Sequence, residues 1–311
     1  MWLILLGVLI AVFAGVYKYN IQASHQAEIE FPPTGQFVSV ENLQLHYICQ
    51  GSGQPVVLLH GNAGFLQDYS PSVLNRLAQE YRVYAFDRPG HGYSDRPSQV
   101  ATPLIQARLL RGALQRLGIK KPVLVGHSWG GTLVLAYALR YPDEISGIVL
   151  LAGLAYKFVG VPLPPPQIAQ APILDKVLKL IPSVPLGRIL LKRILAVSFS
   201  PAPVPRNYLK AAQALWTRPS QVKAMFQDST TLQPTLDVMH PLYDQIHLPV
   251  TIITGDVDAM VDPRQNAYPL HEAIAHSRLI VLPQVGHAIP QTQPEAIVNA
   301  IDAVMAEAVV E

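Results

Sequence analysis

Residues 123–132 read Val123-Leu124-Val125-Gly126-His127-Ser128-Trp129-Gly130-Gly131-Thr132. An apolar run, Val123-Val125, leads into a glycine-bracketed serine, and a helix-like run, Thr132-Arg140, follows. Such a strand, tight turn and helix lifts a serine hydroxyl to the end of a sheet. The turn leaves no room for a β-carbon on either side of the serine, because strand and helix crowd it. Gly131 extends the requirement for small residues. The Trp129 N–H then lies at the start of the helix, where a negative oxygen is stabilised.

Outward from this turn, short apolar runs recur at Val56-Leu59, Val83-Phe86, Val123-Val125, Ile148-Leu151, Val250-Thr254 and Leu279-Leu282. Each resembles a strand buried on both faces, with helical stretches between. Thr102-Pro103 and Asp262-Pro263 are helix-starting pairs. Ahead of them, Phe37-Val40 and Leu43-Cys49 flank Glu41-Asn42, which predicts a hairpin. The expectation is an α/β fold: a mostly parallel central sheet with helices on both faces, binding ligands beyond the carboxyl ends of its strands.

The alternation stops between Leu154 and His240. That stretch holds eleven prolines before Ser220, including Pro164-Pro165-Pro166, and helical segments at Ile173-Ile181 and Leu186-Val197. It reads as a helical cap inserted after the run Ile148-Leu151. The cap segments carry Lys176, Lys179, Arg188, Lys192 and Arg193 against Asp175. They read either as a solvated basic face or as a surface resting on anionic membrane.

Serine needs a base. His287 follows the last apolar run in Val285-Gly286-His287 and is the candidate. The base needs an orienting carboxylate, and Asp256, Asp258 and Asp262 follow Val250-Thr254. Asp262 precedes a proline and reads as an N-cap, and Asp256 beside Gly255 reads as a turn former, which leaves Asp258. A second oxyanion donor is expected in His60-Gly61-Asn62-Ala63-Gly64, from the Asn62 N–H, with Trp129 supplying the first. His60 reads as a brace for that loop. Asp87-Arg88-Pro89-Gly90-His91-Gly92-Tyr93-Ser94 reads as a structural turn in which Arg88 pairs with Asp95.

The motifs HGNAG, DRPGHGYS, GHSWGG, GDVD and VGH together resemble the α/β-hydrolase superfamily, from about residue 36 onward. The resemblance implies a serine hydrolase of esterase type, with Asp258 as the acid of its G-x-x-D pattern counted from Gly255. Asn62 with Trp129 looks like the halide-binding pair of haloalkane dehalogenases. Those enzymes and the epoxide hydrolases use an aspartate nucleophile, where this chain has Ser128. Trp129-Gly130 with Leu133-Arg140 is also similar to proline iminopeptidases, whose oxyanion loop is richer in glycine and proline. The expected reaction is cleavage of an ester or related acyl bond of a small lipophilic substrate. The alternatives are a peptidase of that type, a lyase on the same fold, and a non-catalytic binding protein.

Half of the 311 residues are hydrophobic and 14% are charged, a low share for a soluble domain. Much of the surplus lies in Trp2-Tyr17, an uncharged apolar run of about 24 Å as a helix. Residues 1–20 therefore read as a membrane anchor or a signal segment and 21–35 as a linker. Residues 36–153 and 241–311 read as the two parts of the core, with 154–240 as the cap. Lys18 is the only Lys or Arg before Arg76, a faint orientation signal. The expectation is a membrane-anchored chain with its catalytic domain outside the cytoplasm, the alternative a protein secreted after cleavage. A net charge of +2 without basic blocks argues against nucleic acid. Neither metal nor cofactor is expected. His271 and His276 lie five apart, too far for one helix face. Cys49, the single cysteine, reads as strand packing.

Overall fold

The computed structural model describes residues 1–69, 71–157, 171, 173–180 and 183–308. It opens with a 29-residue helix, α1 (Trp2–Glu30). An eight-stranded sheet follows: β1 (Gln36–Val40), β2 (Leu43–Gln50), β3 (Pro55–Leu59), β4 (Arg82–Phe86), β5 (Val123–His127), β6 (Gly147–Leu151), β7 (Val250–Gly255) and β8 (Arg278–Leu282). Its order is β1-β2-β4-β3-β5-β6-β7-β8. β1 and β2 form the expected hairpin, and β2 pairs antiparallel with β4. All other pairs are parallel. The hairpin turns at Glu41 and Asn42, both at positive φ, the backbone a two-residue turn of primed type needs.

The continuous apolar runs are explained by alternation across this sheet. Val57 and Leu59 of β3, Leu124 of β5 and Ile148 and Leu150 of β6 face one core. There they meet α3 (Pro103–Arg116), α4 (Trp129–Arg140) and α9 (Ala267–Ala273). Val56, Leu58, Val123, Val125, Val149 and Leu151 face the other core, against α2 (Pro71–Leu77) and α10 (Pro294–Ala308). Burying each such side chain contributes about 1.5–3 kcal/mol, and both faces of the central strands gain it. α3 begins as its sequence predicts: the Thr102 hydroxyl accepts the Ile105 N–H and Pro103 opens the helix.

Three expectations change. β8 is an edge strand, half-exposed along its length, because no strand pairs with its outer side. Cys49 is exposed near the end of β2, beside the equally exposed Gln50 and Gly51, and does not pack in the core. The segment assigned as a linker, 21–35, is helical through Glu30 as part of α1.

Between β6 and β7 the described residues form helices and no strand: α5 (Ile173–Leu180), α6 (Ser183–Phe199), α7 (Arg206–Leu215) and α8 (Pro219–Met239). Pro164-Pro165-Pro166 and Ile181 lie outside the described residues. The polar half of α1 packs on this cap. Asn20 and Ala27 are buried. The Val184 N–H donates to Asn20 Oδ1 (3.4 Å), and Arg218 and Lys210 pair with Glu28 and Glu30 (2.9 and 2.6 Å). The Tyr93 hydroxyl donates to the Phe31 carbonyl. By contrast, the apolar residues Trp2, Ile4 to Phe13 and Tyr17 are largely exposed.

Candidate active site

At the end of β5, Ser128 adopts φ 53° and ψ −119°, a sparsely populated backbone region that stores about 1–3 kcal/mol of strain. Three bonds hold it there: its N–H donates to the Leu151 carbonyl, and its carbonyl accepts from the N–H groups of Gly131 and Leu154. A β-carbon at Gly126 would lie 2.4 Å from the Gly130 carbonyl oxygen, and one at Gly130 2.5 Å from that of Leu59. The absence of side chains here lets strand, turn and helix meet. Trp129 is the first residue of α4, so its N–H lacks an intrahelical acceptor and lies at the positive end of the helix dipole.

His287 lies on the loop after β8, which lies close against the end of β7. A β-carbon at Gly255 would stand 2.0 Å from the Val285 carbonyl oxygen, and the Val257 N–H donates to that oxygen. This packing brings His287 to Asp258. The imidazole Nδ1–H donates to Asp258 Oδ2 at 2.8 Å, which leaves Nε2 as the basic nitrogen. Asp258 Oδ1 accepts the N–H groups of Met260 and Val261 (2.8 and 2.9 Å). Burial pushes the Asp258 carboxyl up, but His287 and those two N–H groups outweigh it and hold the carboxyl below its usual range. Asp256 instead accepts from the Gln284 N–H, and Asp262 caps the short turn Pro263–Gln265, the lesser roles expected of both.

His127 was not singled out from sequence. Its ring lies 4.7 Å from that of His287, and its Nε2–H donates to the His287 carbonyl (3.0 Å). It thereby ties the serine turn to the histidine loop. Burial, then the neighbouring His287, pushes its pKa down to about 3, so it stays neutral. The Ser128 hydroxyl forms no hydrogen bond to His287 among the described residues; such contacts tighten when substrate binds.

The loop His60–Gly64 runs beside the serine. A β-carbon at Gly61 would lie 3.1 Å from both Ser128 Cβ and His127 Nδ1. His60 braces the loop as expected: its Nδ1–H donates to the Gly61 carbonyl and its Nε2 accepts the Arg88 N–H. The Asn62 side chain donates to Ser229 Oγ (2.7 Å) on α8 and accepts from the Ala63 N–H. The Trp129 indole N–H donates to the Asp228 carbonyl, also on α8. Both side chains of the dehalogenase-like pair are therefore committed to holding the cap.

Arg88 corrects the expected pairing with Asp95. It is fully buried, pairs with Asp228 at 2.7 Å, and donates to the carbonyls of His60 and Gly61. Its guanidinium lies 4.0 Å above the Trp129 ring. Arg96 pairs with the same Asp228 (2.7 Å), whereas Asp95 accepts the Gln44 N–H on the hairpin. Asp228 lies 140 positions from Arg88 in a helix without chain-local signals, so sequence alone does not join them. Among the described residues no group of three or more His, Cys, Asp or Glu could hold a metal.

With this geometry, residues 54–292 match the family described as the alpha/beta hydrolase fold. The chain belongs to the α/β-hydrolase family. This hydrolase is 29% identical over 289 residues to an uncharacterized protein of Mycobacterium tuberculosis, covering 88% of this chain and 82% of that one. It is 33% identical over 133 residues to the 2-hydroxy-6-oxo-6-phenylhexa-2,4-dienoate hydrolase of Burkholderia cepacia, covering 40% and 46%. Its fold matches the ligand-free epoxide hydrolase CorEH with a TM-score of 0.74 at 22% identity, over 88% of this chain and 99% of that one. The last likeness shows the fold alone.

Proposed function

We propose that this α/β hydrolase cleaves an ester or related acyl bond of a small lipophilic substrate through an acyl-enzyme, with Ser128 as nucleophile. The observation that carries the reading is the strained Ser128 turn beside a His287 whose Nδ1–H is bound to a buried, ionised Asp258. Ser128 Oγ attacks the carbonyl carbon while His287 Nε2 takes its proton. Asp258 stabilises the imidazolium. The N–H groups of Trp129 and Asn62 hold the oxyanion, aided by the dipole of α4. His287 then protonates the leaving group, and water activated by the same nitrogen releases the acid.

The anchor is part of the proposal. Within α1, Ile4–Glu30 is long and apolar enough to cross a membrane, a property that signal segments share. The exposed apolar residues of its first half favour retention in a bilayer.

Ser128→Ala tests the chemistry. A fluorophosphonate probe is expected to label the wild-type chain and not the variant, and ester turnover is expected to fall on the order of 10⁴-fold or more. The melting temperature should not fall, since the hydroxyl holds nothing together. Wild-type turnover in the variant would refute the assignment.

A further inference from the structure

α6 carries apolar residues on both of its sides, yet only one side is covered. Val184, Leu191, Leu195 and Phe199 are buried, the last three against Phe65, Ala212, Leu215 and Ala288. Leu186, Ile189, Leu190, Ile194 and Val197 are 47–60% exposed on the other side. Their spacing of three and four places them along one stripe. An exposed, largely apolar stripe of this kind marks an interaction site. Lys192 borders it and Arg193 lies within it, both exposed.

The position of α6 identifies its occupant. Its first turn bonds to Asn20 of α1, through the Val184 N–H. Asn20 lies directly after Tyr17, Lys18 and Tyr19, residue types that settle at the membrane–water boundary. The eighteen residues before Asn20 rise about 27 Å, close to the hydrocarbon thickness. α6 thus starts at the level where the anchor leaves the bilayer, and its length of about 25 Å is enough for the stripe to run along the surface from there. Basic residues beside an apolar stripe complement an anionic headgroup layer.

We propose that the exposed face of α6 is a membrane-docking surface: Leu186, Ile189, Leu190, Ile194 and Val197 sink into the headgroup layer of an anionic bilayer beside the anchor. The far end of the helix then touches the site. The Ala288 N–H donates to the Ser198 carbonyl (3.0 Å), and a β-carbon at Gly286 would lie 2.2 Å from the Ser200 carbonyl oxygen. One helix therefore joins the bilayer surface to both neighbours of His287, and the cap, rather than the sheet, lies nearest the lipid. A lipophilic substrate would reach the site from the membrane side.

The docking rests on the anchor reading, and the test separates the two. The full-length chain carrying Cys49→Ser receives an environment-sensitive fluorophore at Leu190→Cys, or at Lys120→Cys on an exposed turn as control. Each is reconstituted into phosphatidylcholine/phosphatidylglycerol vesicles with or without nitroxide-labelled lipid. Resistance to carbonate extraction reports the anchor independently. The expected result is loss of more than half the fluorescence at position 190 to nitroxide lipid, little loss at 120, and reversal at 190 by Ile189→Glu/Ile194→Glu in a chain of unchanged circular dichroism. A label at 190 that stays open to aqueous iodide in carbonate-resistant vesicles overturns the proposal. A label shielded from iodide but unaffected by nitroxide lipid also overturns it, because a protein, such as a second copy, then covers the face.

Discussion

Asp68 shows how one residue sets a pH response. It lies buried under the His60–Gly64 loop, where a β-carbon at Gly64 would meet its Oδ2, and it accepts the Tyr208 hydroxyl of α7 at 2.9 Å. Burial raises its pKa from 3.8 to about 7 against the opposing pull of that hydrogen bond. The folded chain thus holds this proton more tightly than the unfolded chain. Its contribution to stability is full below about pH 4 and declines as pH rises through 7. Asp68→Asn keeps the acceptor and removes the titration. The variant is expected to melt higher than wild type at pH 8, with the gap closing toward pH 4.5, as calorimetry across that range would read. Parallel melting curves for both chains across the range would assign the slope to other groups.

At the scale of elements, the β4 exit turn, the His60–Gly64 loop and α8 are joined by a buried and a partly buried arginine on one carboxylate. Arg88 and Arg96 both pair with Asp228, and Gln106 of α3 donates to the same carboxylate (3.0 Å). Such a buried cluster is a weak source of net stability, because removing these charges from water nearly offsets their attraction. Breaking it is another matter. Asp228→Ala leaves Arg88 without a counter-charge and is expected to cost about 3–5 kcal/mol in urea unfolding. It should also release the Gly61 and His60 carbonyls from their fixed donors and so loosen the His60–Gly64 loop. A loss under 1 kcal/mol would mean that water enters the cluster and replaces the carboxylate.

Across the whole molecule, α1 belongs to two environments. Its first half is exposed and apolar, and its second half is bolted to the cap by Asn20, Glu28 and Glu30. Two truncations separate these roles. A chain lacking residues 1–19 should leave the membrane fraction and keep a wild-type melting temperature. One lacking residues 1–30 exposes the surface around Val184 and leaves Arg218, itself mostly buried, without Glu28. It should melt lower by roughly 5 °C and be cut faster by trypsin within the cap. Equal melting of the two would show that the polar half of α1 adds nothing to the fold.

The sheet, its hairpin, the serine turn and the capping role of Asp262 were legible in the chain, because each rests on local rules. Runs buried on both faces must be apolar, a tight turn excludes β-carbons, and an aspartate before a proline caps a turn. The cap was legible as helical, and one end of α1 as apolar. Everything that required distant segments to meet was decided only in three dimensions. Arg88 chose Asp228 over the nearby Asp95, His127 reached the His287 carbonyl, and the supposed linker stayed helical with its Glu28 and Glu30 paired to Arg218 and Lys210. Polar partners of this kind are selected by burial, which makes an unpaired charge or donor costly, and burial is a property of the folded neighbourhood and not of the residues beside it in the chain.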